Sequence, residues 1–173
     1  TESKKLIVIL VLGIFALVNI LYFTNLIPPI PLSLKDGGVY YSIAKTGDGN
    51  YVTTYEDLGW KGYFKLFPDF KKPVGSPVYV FSAVFSPKNL NLIIMHEWQY
   101  FDTAEGKWAT DRVINLPVRG GRDGGFRTYS VRSNLIVGKW RVNIKTERGQ
   151  TIGQLRFNIV TMDNLPKLKT VIK

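Results

Sequence analysis

The sequence predicts an all-β domain, an eight-stranded antiparallel β-sandwich, preceded by one transmembrane α-helix. One apolar stretch near the start is long enough for a membrane helix. The segments after it are rich in Val, Ile and aromatic residues, with Gly and Pro between them and no amphipathic helix pattern. Because one sheet cannot bury its apolar face alone, two stacked sheets are expected. An immunoglobulin-like topology is one form of this fold, and a small barrel is the alternative.

The apolar stretch covers residues 6–23 and is interrupted only by one glycine and one asparagine. A helix over these residues is about 27 Å long, close to the roughly 30 Å of a hydrocarbon core. The stretch is longer than the apolar core of a secretory signal, and no small-residue cleavage site follows it. We therefore expect residues 1–27 to be a transmembrane helix, the last span of a longer protein. Lys4 and Lys5 favour a cytoplasmic start, so the C-terminal domain is expected outside the cytoplasm.

Three further regions follow the helix. Prolines at 28, 29 and 31 end it, because proline lacks a backbone donor and fixes φ. We expect residues 28–37 to form a stiff, Pro-rich stalk and residues 38–161 to form the β-sandwich. Residues 162–173 are basic and weakly patterned, which predicts a frayed tail.

Eight segments carry strand patterns. Residues 78–85 are apolar on both faces, which predicts a strand covered on both sides. Residues 139–145 and 155–159 alternate apolar and polar, so one face of each packs and the other meets water. Gly153 lies where this alternation changes phase, which predicts a bulge. The predicted strands are 39–44, 51–56, 78–85, 92–101, 108–116, 126–131, 139–145 and 155–159.

Positive charge is concentrated in one part of the chain. The net charge is +10, and residues 112–156 contain ten basic and two acidic residues. Such a region favours an acidic partner, while a merely solvated surface is the alternative. Paired arginines beside the Gly-rich residues 120–125 would hold a carboxylate or phosphate bidentately, although that loop lacks the phosphate-loop pattern. The candidates for anion or partner binding are Arg119, Arg122, Arg127, Lys139, Arg141 and Lys145.

Residues 59–73 combine aromatic and basic side chains without a strand period. Aromatic rings sit well at the headgroup level, and lysine heads meet anionic lipid while their stems stay apolar. This predicts a loop lying on the bilayer, and rings that pack onto the sandwich are the alternative. The membrane-interface candidates are Trp60, Lys61, Tyr63, Phe64, Lys65 and Phe67.

The sequence provides no catalytic or metal-binding set. It has no cysteine, and its single histidine, His96, shares a strand face with the predicted core residues Ile94 and Trp98. We expect a buried, hydrogen-bonded ring there. A triad of His96, Ser130 and Asp123 lacks the nucleophile elbow that would support it. No metal, cofactor or enzymatic activity is expected.

Several motifs resemble those of a known family. They are residues 78–81, 96–98, 116–118, 120–130 and 138–142, together with the proline-containing entry at 27–32. The bacterial family similar to this chain is called domain of unknown function 2914. The resemblance implies a C-terminal domain outside the cytoplasmic membrane, often after several transmembrane helices, and no assigned activity.

These observations predict a membrane-anchored extracytoplasmic interaction or accessory module in the bacterial cell envelope, on the periplasmic side of the inner membrane. Expected partners are the lipid bilayer, another membrane or envelope protein, or the chain's own upstream helices, but not nucleic acid. A cell-wall glycan-binding module is the alternative, since aromatics are plentiful. A hydrolase is the third, because the fold alone can bring two carboxylates together.

Overall fold

The computed structural model describes residues 2–24, 32–59, 62, 64–85, 92–118 and 125–173. This part of the chain contains one α-helix followed by eleven β-strands. The helix is α1 (Glu2–Phe23), and the strands are β1 (Ser33–Tyr40), β2 (Ser42–Lys45), β3 (Tyr51–Glu56), β4 (Asp69–Lys72), β5 (Val78–Phe85), β6 (Leu92–Asp102), β7 (Lys107–Val118), β8 (Phe126–Arg132), β9 (Gly138–Thr146), β10 (Thr151–Thr161) and β11 (Leu168–Ile172).

Helix α1 is apolar along most of its length, and none of its residues is buried. At 22 residues it is about 33 Å long. Its polar groups are satisfied locally: Asn19 Nδ2 donates to the Phe15 carbonyl at 2.7 Å, and Thr24 Oγ1 donates to the Ile20 carbonyl at 2.7 Å. By length and composition α1 meets the requirements of a membrane span, which a signal sequence near the N-terminus also meets.

The strands form three sheets with the orders β1-β5-β8, β4-β10-β9-β6-β7 and β11-β3-β2. The first two sheets pack face to face, and the third covers the outer face of the first. The neighbouring strands pair antiparallel, except that β4 pairs parallel with β10. The predicted class, an all-β sandwich after one apolar N-terminal helix, is confirmed.

Strand β5 lies at the centre of the molecule. Val80 faces the five-stranded sheet and packs against Trp98 and Val142. Phe81, the next residue, faces the opposite way and packs against Tyr51 of the third sheet. The prediction that residues 78–85 are covered on both sides is therefore confirmed.

The described residues hold eleven strands, where the sequence predicted eight. The predicted strand over residues 39–44 is two strands, because the chain changes sheets at Tyr41: β1 pairs with β5, whereas β2 pairs with β3. The Tyr41 amide donates to the Thr54 carbonyl at 2.8 Å across this change. Strand β4 lies inside the predicted loop over residues 59–73, where pairing with β10 satisfies its backbone.

Both ends of the predicted sandwich domain differ from the structure. Strand β1 begins at Ser33, inside the predicted stalk over 28–37, because its first residues pair with the end of β5; residues 28–31 lie outside the described part. In the predicted frayed tail over 162–173, β11 pairs with β3. Lys173 holds this end through an ion pair of 2.6 Å with Asp36.

The bulge predicted at Gly153 is confirmed by a register shift between Thr151 and Gly153. A Cβ atom at Gly153 would lie 2.4 Å from Leu34 Cδ2. Glycine here therefore lets β1 approach β10 closely.

A buried histidine links the two sheets of the sandwich. His96 of β6 is 0% exposed. Its Nε2 lies 2.8 Å from Ser82 Oγ on β5, and its Nδ1 lies 2.8 Å from Ser130 Oγ on β8. Trp98 Nε1 also donates to Ser130 Oγ, at 3.0 Å. The expected buried, hydrogen-bonded ring is confirmed; Asp123, the third member of the alternative triad, lies outside the described residues.

Burial lowers the pKa of His96 from 6.5 to about 4. In the unfolded chain the ring keeps its ordinary pKa, so the unfolded state binds more protons between these two values. The contribution of the neutral, buried His96 ring to the free energy of unfolding is therefore fully present above pH 6.5 and is lost as the pH falls towards 4. We expect the free energy of unfolding to be about 2 kcal/mol lower at pH 5 than at pH 7 through this group alone.

Urea unfolding of the full-length chain in mild detergent at pH 5, 6 and 7 measures this dependence. His96→Gln should lower stability at pH 7 and should flatten the slope. Asp57 and Asp69, whose pKa values are lowered mainly by hydrogen bonds from Lys169 and Asn158 respectively, titrate below this window. Equal slopes in the parent and the variant would contradict the assignment.

Candidate functional site

The outer face of the five-stranded sheet is the face turned away from β1-β5-β8. In β9, Trp140, Val142 and Ile144 are buried and point into the core. The intervening residues therefore point outward, as expected for a side-chain period of two. They are Lys139, Arg141, Asn143 and Lys145.

At one end of this face, aromatic and basic side chains line a cavity of about 270 Å³. They come from β6, β7, β9, β10 and the segment before β4. We call this feature the aromatic–basic cleft. It is formed by Phe67, Phe101, Trp108, Lys139, Arg141 and Arg156.

Three half-buried rings form the apolar part of the cleft. Phe67 and Trp108 lie nearly parallel, with ring centroids 6.0 Å apart and an interplanar angle of 14°. Phe101 meets Trp108 edge to face at 5.4 Å. Phe101 and Trp108 are partners in the register of β6 and β7, so the β hairpin itself sets their contact.

Three cations lie over these rings. The guanidinium carbon of Arg141 is 4.3 Å from the centre of a Trp108 ring. Lys139 Nζ and the Arg156 guanidinium carbon lie 5.6 Å and 5.9 Å from the centre of the Phe67 ring. These distances are in the cation–π range. Across the described ranges, no carboxylate forms an ion pair with any of the three.

Arg141 and Arg156 face each other directly across β9 and β10. Like charges at such positions destabilise a sheet. Burial lowers the pKa of Arg141 and the positive charge of Arg156 lowers this pKa further, while the negative charge of Glu97 raises it in part. The cleft thus carries an excess of positive charge.

Asn143 is the centre of a polar network beside the cleft. Its Nδ2 donates to Glu97 Oε2 at 2.8 Å and to Gln99 Oε1 at 3.2 Å. Its Oδ1 accepts from Gln154 Nε2 at 2.6 Å. The side chain is buried although it lies on the outer face, so it joins β6, β9 and β10 into one hydrogen-bonded unit.

This network fixes both arginines. Arg141 Nε donates to Gln99 Oε1 at 2.7 Å, and Arg156 Nε donates to Gln154 Oε1. Both glutamines also bond Asn143. The terminal nitrogens of the two guanidinium groups form no hydrogen bond with any described residue, so their N–H groups remain available.

Glu97 offsets only part of the charge of the cleft: its carboxylate acts on Arg141 at a distance but forms its ion pair, of 2.6 Å, with Lys145. Burial raises the pKa of Glu97, but the hydrogen bonds from Lys145 and Asn143 outweigh burial and hold it below its ordinary value. Glu97 is therefore ionised near neutral pH and paired with a lysine outside the cleft.

Residues 93–159 match the model of the family described as "Protein of unknown function (DUF2914)". Over these residues the chain is similar to the DUF2914 family. The resemblance noted in the sequence is thereby confirmed. The matched region runs from β6 to β10 and contains every residue of the aromatic–basic cleft except Phe67.

No curated protein matches the chain. Among solved structures, the Pseudomonas fluorescens alkylpurine DNA glycosylase AlkC, bound to DNA containing an abasic site analog, is 11% identical with a TM-score of 0.39. That match covers 53% of this chain and 27% of the glycosylase chain. An immunoglobulin-like protein (PA1606) from Pseudomonas aeruginosa is 9% identical with a TM-score of 0.38, covering 75% of this chain and 96% of that one.

The described members of the predicted binding residues lie in two parts of the fold. Lys139 and Arg141 meet in the cleft, and Lys145 lies on the same face with Glu97. Arg127 lies in the sheet β1-β5-β8 instead, where its Nη1 donates to the Lys173 carbonyl at 2.8 Å and to Asn50 Oδ1 at 3.2 Å. Two further candidates lie outside the described residues: Arg119 and Arg122.

The predicted membrane-interface residues also separate. Phe67 packs in the cleft against Trp108. Phe64 is 84% exposed, and Lys65 pairs with Asp69 at 3.1 Å. The other three candidates lie outside the described residues: Trp60, Lys61 and Tyr63.

Sequence reasoning did not single out Arg156, Phe101, Trp108 or the network residues Gln99, Asn143 and Gln154 as site residues. The sequence did contain a signal for Arg156: it lies between the apolar Leu155 and Phe157, so the strand period of two points its side chain outward. The contact of Phe67 with Trp108 has no local signal, since the two residues are far apart in the sequence.

Loss of the Asn143 amide should destabilise the domain. In Asn143→Ala, three hydrogen bonds disappear, and the side chains of Glu97, Gln99 and Gln154 each lose a hydrogen-bond partner. We expect the free energy of unfolding to fall by about 1–3 kcal/mol. Thermal unfolding of the full-length chain in detergent measures the change, with the exposed Asn115→Ala of β7 as the matched control. Equal stabilities of the two variants would contradict the role of Asn143.

Proposed function

We propose that this protein is a membrane-anchored extracytoplasmic interaction module whose aromatic–basic cleft binds a negatively charged partner. The apolar helix α1 supports membrane anchoring. Lys4 and Lys5 before it favour a β domain on the periplasmic side of a bacterial inner membrane. The observation that carries the proposal is the cleft itself. It holds three cations over aromatic rings, with no carboxylate paired to them in the part of the chain that the structure describes.

The energetics of the cleft favour an acidic partner. The directly opposed Arg141 and Arg156 repel each other. Ordinary surface cations are surrounded by water and are mobile, whereas these cations lie over aromatic rings and beside a buried amide network that orders them. A partner's anionic group would remove the repulsion and would meet donors that are already oriented, so little side-chain entropy would be lost on binding.

The position of the cleft supports a partner beyond the surface of the anchoring bilayer. Near the start of β1, Leu34 packs with the cluster that contains Ile94 and Val118. Strand β6 runs from that end to Phe101 in the cleft, a distance of about 25 Å. The cleft is therefore at the end of the sandwich opposite the start of β1, which favours an envelope protein or polymer over headgroups beside the anchor.

Binding of a cell-wall glycan is the second candidate function. The nearly parallel rings of Phe67 and Trp108 favour it, since such rings can stack on sugars. However, Arg141 lies against Trp108, and Lys139 and Arg156 lie over Phe67. Charge is therefore what the cleft presents, and an acidic partner fits it better than a neutral sugar.

Calorimetric titration of the full-length chain in neutral-detergent micelles, with dextran sulfate or uncharged dextran at about 0.15 M salt, tests both functions. We expect dextran sulfate to bind and dextran not to bind. Arg141→Ala should weaken binding about tenfold, a loss of about 1.4 kcal/mol.

The matched control is Arg148→Ala, in the turn at the other end of the same β9–β10 hairpin, which should bind within about twofold of the parent. Equal losses of affinity in both variants would show that binding depends on general surface charge and not on the cleft. Equal binding of dextran and dextran sulfate would favour the glycan function.

A further inference from the structure

We infer that the aromatic–basic cleft recognises phosphoryl groups, which Arg141 and Arg156 take through the terminal nitrogens of both guanidinium groups. This inference rests on the proposed function and names the chemical class of its ligand. Three features of the cleft support it: the fixed orientation of the arginines, the number of their available donors, and the positive charge that remains to be matched.

The first feature is orientation. Each guanidinium group has its Nε bonded to a glutamine, Arg141 to Gln99 and Arg156 to Gln154. Asn143 holds both glutamines. Neither guanidinium can rotate without breaking this network, so the planes of the two groups are set before a ligand arrives. Bidentate recognition of an oxyanion requires such a fixed fork.

The second feature is the number of donors. An arginine has five N–H donors, and Nε carries one of them. The two terminal nitrogens of each arginine therefore offer about four donors, none of them used by a described residue. Lys139 adds an ammonium group that likewise forms no hydrogen bond with the described residues. A carboxylate, with two oxygens, uses only a small part of this set.

The third feature is charge. The cleft has three cations, and Glu97, the carboxylate on the adjacent strand, is already paired with Lys145. A phosphomonoester has a charge of about −1.5 to −2 and three acceptor oxygens. It therefore matches the charge and the donors of the cleft better than a single carboxylate. A chain of phosphodiesters would match them by placing several successive phosphate groups in the cleft.

The aromatic rings strengthen this recognition. Trp108 covers one side of the half-buried Arg141, so water solvates this cation less and its attraction for an anion is stronger than on an open surface. Phe67 lies under the more exposed Arg156. The rings also leave a cavity of about 270 Å³. That volume admits a phosphoryl group together with part of the molecule that carries it.

The test compares two polymers with the full-length chain reconstituted in discs of neutral lipid. Polyphosphate and polyglutamate are titrated at equal charge concentration and about 0.15 M salt. We expect polyphosphate to bind at least about tenfold more tightly. Equal affinities would overturn the phosphoryl inference.

Charge-conserving variants test the fork. Arg141→Lys and Arg156→Lys keep the positive charge but lose the planar donor pair, so each should weaken polyphosphate binding about tenfold. Arg148→Lys is the matched control and should change nothing. Thermal unfolding of each variant in the same discs establishes that the fold is intact. Full affinity in folded Arg141→Lys would overturn the inference.

Failure of this inference and failure of the proposed function give different results. If both polymers bind equally and Arg141→Ala weakens both, the interaction module stands and the phosphoryl specificity is wrong. If neither these polymers nor dextran sulfate binds, both proposals fail.

The source of the phosphoryl group is tested by a further arm. Vesicles of phosphatidylcholine with and without phosphatidic acid are added to the reconstituted chain. Binding of polyphosphate without capture of the phosphatidic acid vesicles would indicate a soluble phosphorylated polymer. Capture that depends on Arg141 would indicate a lipid headgroup, and absence of both would overturn the inference.

Discussion

The burial of β5 on both faces is the constraint on which the rest of the structure depends. Alternate residues of this strand pack against two different sheets, so neither sheet can move along β5 without exposing apolar surface. The hydrogen bonds between the His96 ring and the hydroxyl groups of Ser82 and Ser130 fix the sandwich at a polar point of that interface. A buried polar group is costly unless it is paired, so only the correct register of the sheets satisfies all three side chains.

That register also creates the candidate site. Because β6, β9 and β10 are held with Trp98, Val142 and Phe157 inward, their intervening side chains must face outward together. Arg141 therefore meets Gln99 on one side and Arg156 on the other. The core packing and the aromatic–basic cleft are two faces of the same pleated sheet, and the polar face is as ordered as the apolar one because Asn143 joins its strands.

The candidate site could be predicted only in part. Lys139 and Arg141 follow from the period-two pattern of β9, which assigns them to an outward face. Their grouping with Arg156 needs the pairing of β9 with β10, which the hairpin pattern suggests, but their contact with Phe67 and Trp108 depends on long-range packing. Arg127 shows the opposite case: its charge suggested a ligand site, whereas the fold uses it to hold the end of the chain at Lys173.

The sequence by itself determined the apolar helix, the all-β class, the double-sided burial of residues 78–85 and the bulge at Gly153, because each depends on a local period or on one residue's conformational freedom. The tertiary structure alone decided that β1 changes sheets at Tyr41, that β4 pairs parallel with β10, and that β11 becomes an edge strand. Such pairings join weakly patterned segments, and their energy comes from backbone hydrogen bonds to a distant strand. No local pattern of side chains indicates which distant strand such a segment pairs with.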